Sequence, residues 1–319
     1  MNEDKLELLA QIASWYYEQN LTQEDIARRI GKSRSMVSRL LREAREEGIV
    51  EVRVRHPFLR RNATLESRLC QTFGLQSAWV LDNPPADYTL LLSRVGQLGA
   101  RCLRSYLHDG MSIGVGWGTG VHAVVRAMGE LPLQKAMVVQ IIGAVGYGDP
   151  LIDGPELARW LAQKLDAAHR FLHAPLLVDN ENLARALLQE RAIAETLALA
   201  RQVDMAIIGI GTVVRELSSL RRAGYLSQED LLHLQTQGVV GDLLARQIDI
   251  RGRVLDLPLH RRIIGIDVPE DLARIPLVVA VAGGERKAPA ILAALRSGLI
   301  NALVTDAQAA VTVLNLHRG

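Results

Sequence analysis

The residues best placed to do chemistry in this chain are glycines set beside charged or hydroxyl-bearing side chains. Ile113-Gly114-Val115-Gly116-Trp117-Gly118-Thr119-Gly120 runs straight into a helical pattern over His122–Met128. Glycine lets the main chain approach a ligand closely, and the unpaired N–H groups of a helix start attract an anion. Val281-Ala282-Gly283-Gly284-Glu285-Arg286-Lys287 repeats the arrangement ahead of a helix over Ala290–Leu295, and Lys287 adds a point charge suited to a phosphate. Gly143-Ala144-Val145-Gly146 and Gly209-Ile210-Gly211 are two further turns of this kind. Together they predict a pocket for a small phosphate or carboxylate, with Gly116, Trp117, Gly118, Thr119, Gly120, Gly143, Gly284 and Lys287 as candidate lining. The competing reading is that they are tight turns only.

Asp242, in Gly238-Val239-Val240-Gly241-Asp242, places a carboxylate beside another glycine turn. It could hydrogen-bond sugar hydroxyls, act as a general base if its pKa is raised, or cap a helix ahead of Leu243-Leu244-Ala245. His122 lies near the first turn, but a lone histidine is more often a packed or surface residue. Asp306, after Leu303-Val304-Thr305, reads as the cap of a final helix.

Other chemistries fit less well. Gly118-x-Gly120-x-x-Ala123 matches the loose dinucleotide fingerprint, yet the acidic residue expected about 20 positions on is missing from Val138-Val139-Gln140-Ile141. No Gly-Lys-Ser or Gly-Lys-Thr occurs in a glycine-rich loop. There is no serine or cysteine nucleophile motif and no histidine pair at metal-ligand spacing. Cys70 and Cys102, the two cysteines, are too few for a zinc site or a disulfide framework and are expected as reduced thiols in a cytosolic protein. No cofactor and no metal are expected.

A different chemistry sits near the N-terminus. From Ile26 to Arg42 there are six basic residues, Arg28, Arg29, Lys32, Arg34, Arg39 and Arg42, and no acidic one. Across the whole chain 37 Lys and Arg meet 35 Asp and Glu, so a net charge of +2 hides a basic face. The elements that position it are legible. Leu8, Leu9, Ile12, Trp15 and Tyr16 make an apolar stripe on a helix over Leu6–Gln19. Thr22 can cap a second helix carrying Ile26, Ala27 and Ile30, which Gly31 stops. Ser33 can cap a third, running through Met36, Val37, Leu40 and Leu41 to about Glu47, with Gly48 at its end. Two helices joined by a three-residue turn with a glycine form a helix-turn-helix, here at the spacing that sends Val37 and Leu40 inward. The third helix would enter the major groove of DNA. Arg34, Ser35, Ser38 and Arg39 are candidates for base edges, and Lys32, Ser33 and Arg42 for phosphates. A solvated face is the competing reading for any one of them. Gly48–Arg55 alternates apolar and charged residues, as a wing beside DNA or the strand closing the small domain would.

After residue 60 the texture changes. Apolar, β-branched runs at Ala78–Leu81, Met111–Val115, Ala136–Ile142, Phe171–Leu177, Met205–Ile210, Leu277–Ala282 and Ala302–Thr305 alternate with helical stretches. That order predicts an α/β domain with a mainly parallel sheet and helices on both faces. The domains expected are an all-α helix-turn-helix over 1–55, a linker over 56–64 holding Pro57, Arg60 and Arg61, and an α/β effector domain over 65–319. Leu65, Leu69 and Phe73 form a short apolar face for a second subunit or for the domain's own sheet. With 319 residues, 49% apolar and 23% charged, the chain can bury a core without staples and is not disordered. No apolar run reaches the ~20 residues of a membrane span, and the acidic start is not a signal peptide.

These motifs occur in one order from residue 12 to residue 306: Ile12-Ala13-x-Trp15-Tyr16-Tyr17, Leu21-Thr22-Gln23-x-x-Ile26-Ala27, Val37-Ser38-Arg39-Leu40-Leu41, Gly241-Asp242, Gly283-Gly284-Glu285-x-Lys287 and Ile300-Asn301-Ala302-Leu303-Val304-Thr305-Asp306. In them the whole chain resembles the SorC family of bacterial sugar-responsive transcriptional regulators. The resemblance implies an effector domain similar to sugar-phosphate isomerases and deaminases that binds a phosphorylated sugar or polyol and does no chemistry. It also implies a homodimer or homotetramer on double-stranded operator DNA in the cytoplasm. By position, Trp117–Gly120 match the family's phosphate-cradling loop, Asp242 its sugar-contacting acid and Lys287 its phosphate-proximal lysine. The closing segment is equally similar to autoinducer-responsive and to sorbose- or polyol-responsive members, which leaves the effector open. The rival expectation is a sugar-phosphate isomerase or deaminase with a fused DNA-binding unit.

Overall fold

The computed structural model describes residues 3–50, 59–146 and 153–319. The chain divides into two compact units, 1–58 and 59–319. In the first, α1 (Glu3–Tyr17), α2 (Gln23–Ile30) and α3 (Arg34–Glu46) close over a core of Leu9, Ile12, Ala13, Ile26, Ala27, Val37, Leu40, Leu41 and Ala44. Thr22 caps α2 in a capping box with Asp25, and Gly31 ends it at φ 63°. Of the stripe expected on α1, Leu9 and Ile12 are buried and Trp15 and Tyr16 pack against the core; Leu8 alone falls outside it. Leu9, Ile12 and Ala13 face inward, whereas Leu8 is exposed, because it lies about 100° around the helix from Leu9. Ile49 and Val50 pack against this core. The strand or wing expected over Gly48–Arg55 falls largely on residues 51–58, outside the described residues.

The second unit starts earlier than the expected linker allows. Leu59 is buried, Arg61 pairs with Leu81 in an antiparallel bridge, and Asn62 caps α4 (Ala63–Phe73) by accepting the Leu65 N–H at 3.1 Å. Residues 59–64 are therefore tied to this unit, and residues 56–58 lie outside the described residues. Leu65 and Leu69 turn inward, so the apolar face of α4 packs on its own domain.

The order continues β1 (Ser77–Leu81), α5 (Tyr88–Arg104), β2 (Ser112–Val115), α6 (Thr119–Ala127), β3 (Met137–Gln140), α7 (Gly154–Leu165) and β4 (Ala168–Arg170). Then come α8 (Glu181–Gln189), α9 (Arg191–Ala200), β5 (Met205–Thr212), α10 (Ser219–Arg222), α11 (Gln228–Thr236), β6 (Val239–Leu243) and β7 (Arg246–Asp249). The unit ends with β8 (Leu277–Val281), α12 (Ala288–Arg296), β9 (Ala302–Asp306) and α13 (Ala307–Arg318). Strands stand in the order β1-β9-β8-β5-β2-β3-β4, all parallel, and the antiparallel hairpin β6–β7 is added to the far end of β5. Alternate residues feed two cores: Met205 and Ile207 of β5 join Val95, Leu98 and Val124, while Ala206 and Ile208 join Ile291 and Leu303. A parallel sheet covered on both faces needs apolar residues on both sides, which is why its strands read as unbroken apolar runs.

One expected strand is displaced. β4 is Ala168–Arg170, and the run Phe171–Leu177 makes only isolated bridges, Ala144 with Pro175 and Leu177 with Ile263. Pro175 has no N–H to give a ladder, and the Leu172 N–H is taken by the buried Gln140 side chain at 3.0 Å. Among the described residues no helix is long and apolar enough to cross a membrane.

Candidate effector cavity and nucleic-acid interface

Strand order reverses between β2 and β5: β3 and β4 follow β2 to one side, and β8 and β9 follow β5 to the other. In open α/β sheets the crevice at such a reversal, beyond the carboxyl ends of the strands, is where ligands sit. A solvent-open cavity lies there. It is lined by Trp117, Gly118, Thr119 and Gly120 after β2, by Gly209, Ile210 and Gly211 of β5, and by Asp242, Val281 and Lys287. Six of the nine residues expected to bind an effector therefore converge: Trp117, Gly118, Thr119, Gly120, Asp242 and Lys287.

The other three, Gly116, Gly143 and Gly284, are not lining residues; the first two are held by backbone hydrogen bonds and the third by a side chain. The Gly116 N–H donates to Ile207 O at 2.9 Å, continuing the strand, and the Gly143 N–H donates to Ile264 O at 2.9 Å. The Gly284 N–H donates to Asp306. His122 is also off the cavity, its ring 6.0 Å from that of Trp160.

Two glycines are required by close approach. A Cβ on Gly120 would strike the Val281 carbonyl, so only glycine lets α6 begin this near the end of β8. A Cβ on Gly211 would overlap the Asp242 carboxylate, so glycine lets that carboxylate lie against β5. Asp242 is not a helix cap. It stands on β6, two residues before a two-residue hairpin turn, Leu244 and Ala245, at φ 47° and 62°. Its Oδ2 accepts the Ala245 N–H at 3.2 Å.

Lys287 ends a short 3-10 turn, Glu285–Lys287, and is 8% exposed. Its Nζ donates to Ile210 O at 2.6 Å. Burial pulls its pKa down to about 8, an effect that Asp242 offsets and the nearby Arg222 reinforces. Burial pushes the Asp242 carboxyl up to about 6, with Lys287 and the Ala245 N–H holding it back. A desolvated ammonium next to a desolvated carboxyl, beside the start of α6, suits a ligand that brings an anion to one end and hydroxyls to the other.

Seven lining residues were not among the candidates: Gly209, Ile210, Gly211 and Val281, which stand in glycine turns the sequence shows, and Ser219, Leu220 and Leu244. Ser219 and Leu220 belong to the four-residue α10, too short to show a helical period, and its only local mark is the Ser218 cap. Arg222 donates from Nη2 to Ser219 Oγ at 3.0 Å, which sets a second cation near the cavity.

In the first unit, Lys32, Ser33, Arg34, Ser35, Arg39 and Arg42 are exposed and Ser38 is half-buried. Ser33 Oγ accepts the Met36 N–H at 3.2 Å, capping α3, and shares a hydrogen bond with Ser35 Oγ at 2.9 Å. Arg39 leans on Met36 Sδ at 3.0 Å. Of the six basic residues, two serve the unit itself: Arg28 pairs with Asp25, and Arg29 lies 4.8 Å over the Trp15 ring. The other four stand on or just before α3 and are presented outward.

A helix-turn-helix unit followed by an α/β domain with a polar cavity at its switch point defines a ligand-binding DNA-binding regulator. The family described as "Putative sugar-binding domain" matches residues 59–315, and the Crp-like helix-turn-helix domain matches residues 6–66. The chain is 36% identical over 316 residues to the transcriptional regulator LsrR of Enterobacter sp. (strain 638), covering 97% of this chain and 93% of that one. It is 31% identical over 315 residues to the deoxyribonucleoside regulator of Bacillus subtilis, covering 99% of each. The crystal structure of the full-length sorbitol operon regulator SorC from Klebsiella pneumoniae superposes with a TM-score of 0.73 at 30% identity, over 98% of this chain and 100% of that one. This chain belongs to the SorC family of sugar-binding transcriptional regulators. The relatives are regulators, so the isomerase or deaminase reading falls.

Proposed function

We propose that this regulator binds operator DNA under the control of a phosphorylated sugar or polyol held in the switch-point cavity. The observation that carries the reading is convergence: the start of α6, the Thr119 hydroxyl and the Lys287 ammonium meet one carboxylate, Asp242, in one cavity. The phosphate would lie against Trp117–Gly120 and Lys287, and Asp242 would take sugar hydroxyls. On DNA, Arg34, Ser35, Ser38 and Arg39 would read base edges, while Lys32, Ser33 and Arg42 meet phosphates. The assembly would be a homodimer or homotetramer in the cytoplasm, its units spaced for two half-sites.

A thermal-shift screen with matched pairs, each sugar or polyol beside its phosphate, tests this. A ligand at about 100 times its Kd stabilises the native state by about 2.7 kcal/mol. A shift with a phosphate and none with its parent is the expected result. Shifts with free sugars alone would remove the anion role of Lys287.

A further inference from the structure

Asp306 does more than cap a helix. Its carboxylate is fully buried at the carboxyl end of β9. Oδ1 accepts the Ala309 N–H at 3.1 Å and so caps α13, while Oδ2 accepts the Gly284 N–H at 2.5 Å. Gly284 opens the turn that carries Lys287 into the cavity. The approach is close: a Cβ on Gly283 would stand 3.0 Å from the same Oδ2. A helix cap needs one acceptor, which Ser or Asn supplies without placing a charge in the interior. Two acceptor oxygens aimed at two different segments are what a carboxylate provides and an amide does not. A second link runs beside it, since the Thr312 hydroxyl of α13 donates to Glu285 at 3.4 Å. At its far end α13 meets α4, with the Phe73 and His317 rings 4.8 Å apart, edge to face. α4 is the first helix of this unit.

We propose that Asp306 is a positioning residue of the effector cavity: it holds the Lys287 turn and the start of α13 as one body, so that occupation of the cavity is felt along α13 and at α4. The inference rests on the reading of the cavity as an anion site.

Amide hydrogen exchange on the full-length protein, in inorganic phosphate against chloride of equal ionic strength, tests it. In the wild type, phosphate slows exchange over residues 116–122, 283–287 and 307–313 by about fivefold or more, the lower end of typical coupling between sites. Asp306→Asn keeps one acceptor for the α13 cap and turns its NH2 toward the other N–H, which breaks the tie. In that variant residues 116–122 still respond and α13 does not. Two results overturn the proposal: α13 silent in the wild type while both loops respond, or α13 in Asp306→Asn responding as the wild type does. If Asp306→Asn fails to fold, the wild-type arm still decides, because it requires α13 to respond. Wild-type protein with no response in any segment removes the anion reading and this inference with it.

Discussion

Helix α3 and the switch-point cavity both present cations, and they do so by opposite means. Arg34, Arg39 and Arg42 are exposed on one helix, within nine positions of each other, and none is buried by a neighbour. Their charges remain solvated, so their placement follows from helix geometry alone. Lys287 is buried, and its partners Ile210 and Asp242 are 77 and 45 positions away. Charge on the first surface is held at little cost and is open to screening by salt. In the cavity it is held against desolvation, which is what leaves an ammonium at about 8 and a carboxyl at about 6 side by side.

The contrast breaks most severely if the two units fail together. Val37 is fully buried in the small core, and Val37→Asp should destabilise that unit by about 4 kcal/mol or more. Operator binding is then lost, while phosphate still shifts the melting of the α/β unit in a calorimetric scan. A simultaneous loss of both would show that the units do not melt separately.

A smaller effect sharpens the cavity side. Lys287→Met removes the buried charge and should lower affinity for a phosphorylated ligand by about 1.5–3 kcal/mol, roughly 10- to 150-fold, with the parent sugar little changed. Isothermal calorimetry on the matched pair reads the difference, and equal losses would end the phosphate role. On the other surface, Arg39→Ala should weaken operator binding by about 1–3 kcal/mol and leave ligand binding intact, as fluorescence anisotropy on labelled DNA would show.

The mildest test is pH. Lys287 has its pKa lowered in the folded state from 10.5 to about 8, so the folded protein releases this proton before the unfolded chain does. Stability contributed by this group therefore rises as pH goes from about 8 toward 10.5. Anion affinity moves the other way: above about 8 the free protein has lost the charge, and binding must restore it. Affinity should fall by as much as about tenfold per pH unit there, about 1.4 kcal/mol. Lys287→Met should flatten that slope, and a slope unchanged in the variant would assign it to another group.

The small unit was almost fully legible because it is local. Thr22, Gly31 and Ser33 act within three or four residues of themselves, and the structure uses each as a cap or stop. On α1 only Leu8, at the edge of the expected stripe, lies outside the core. In the α/β unit six of the seven parallel strands were legible as apolar runs; the seventh was misplaced where Pro175 and the Gln140 side chain take the backbone out of the sheet, and the β6–β7 hairpin was not foreseen. For Asp242 the cap reading is the one that fails. Gly-Asp-Leu-Leu-Ala has the composition of a helix start, yet antiparallel pairing of β6 with β5 and β7 forces Leu244 and Ala245 into a left-handed turn.

By itself the sequence determined most of the element types, the helix-turn-helix with its basic face, and the glycine turns and charged residues that include six of the cavity's lining residues. Those follow from periodicity, capping chemistry and glycine placement, which act over short stretches of chain. Tertiary structure alone decided which strand ends are neighbours, and so which glycine turns share a cavity and which only support it. It also decided that Lys287 and Asp306 are buried and that Asp242 is half-buried. Strand order and burial are set by how the whole chain excludes water from two cores, and no window of residues carries that information.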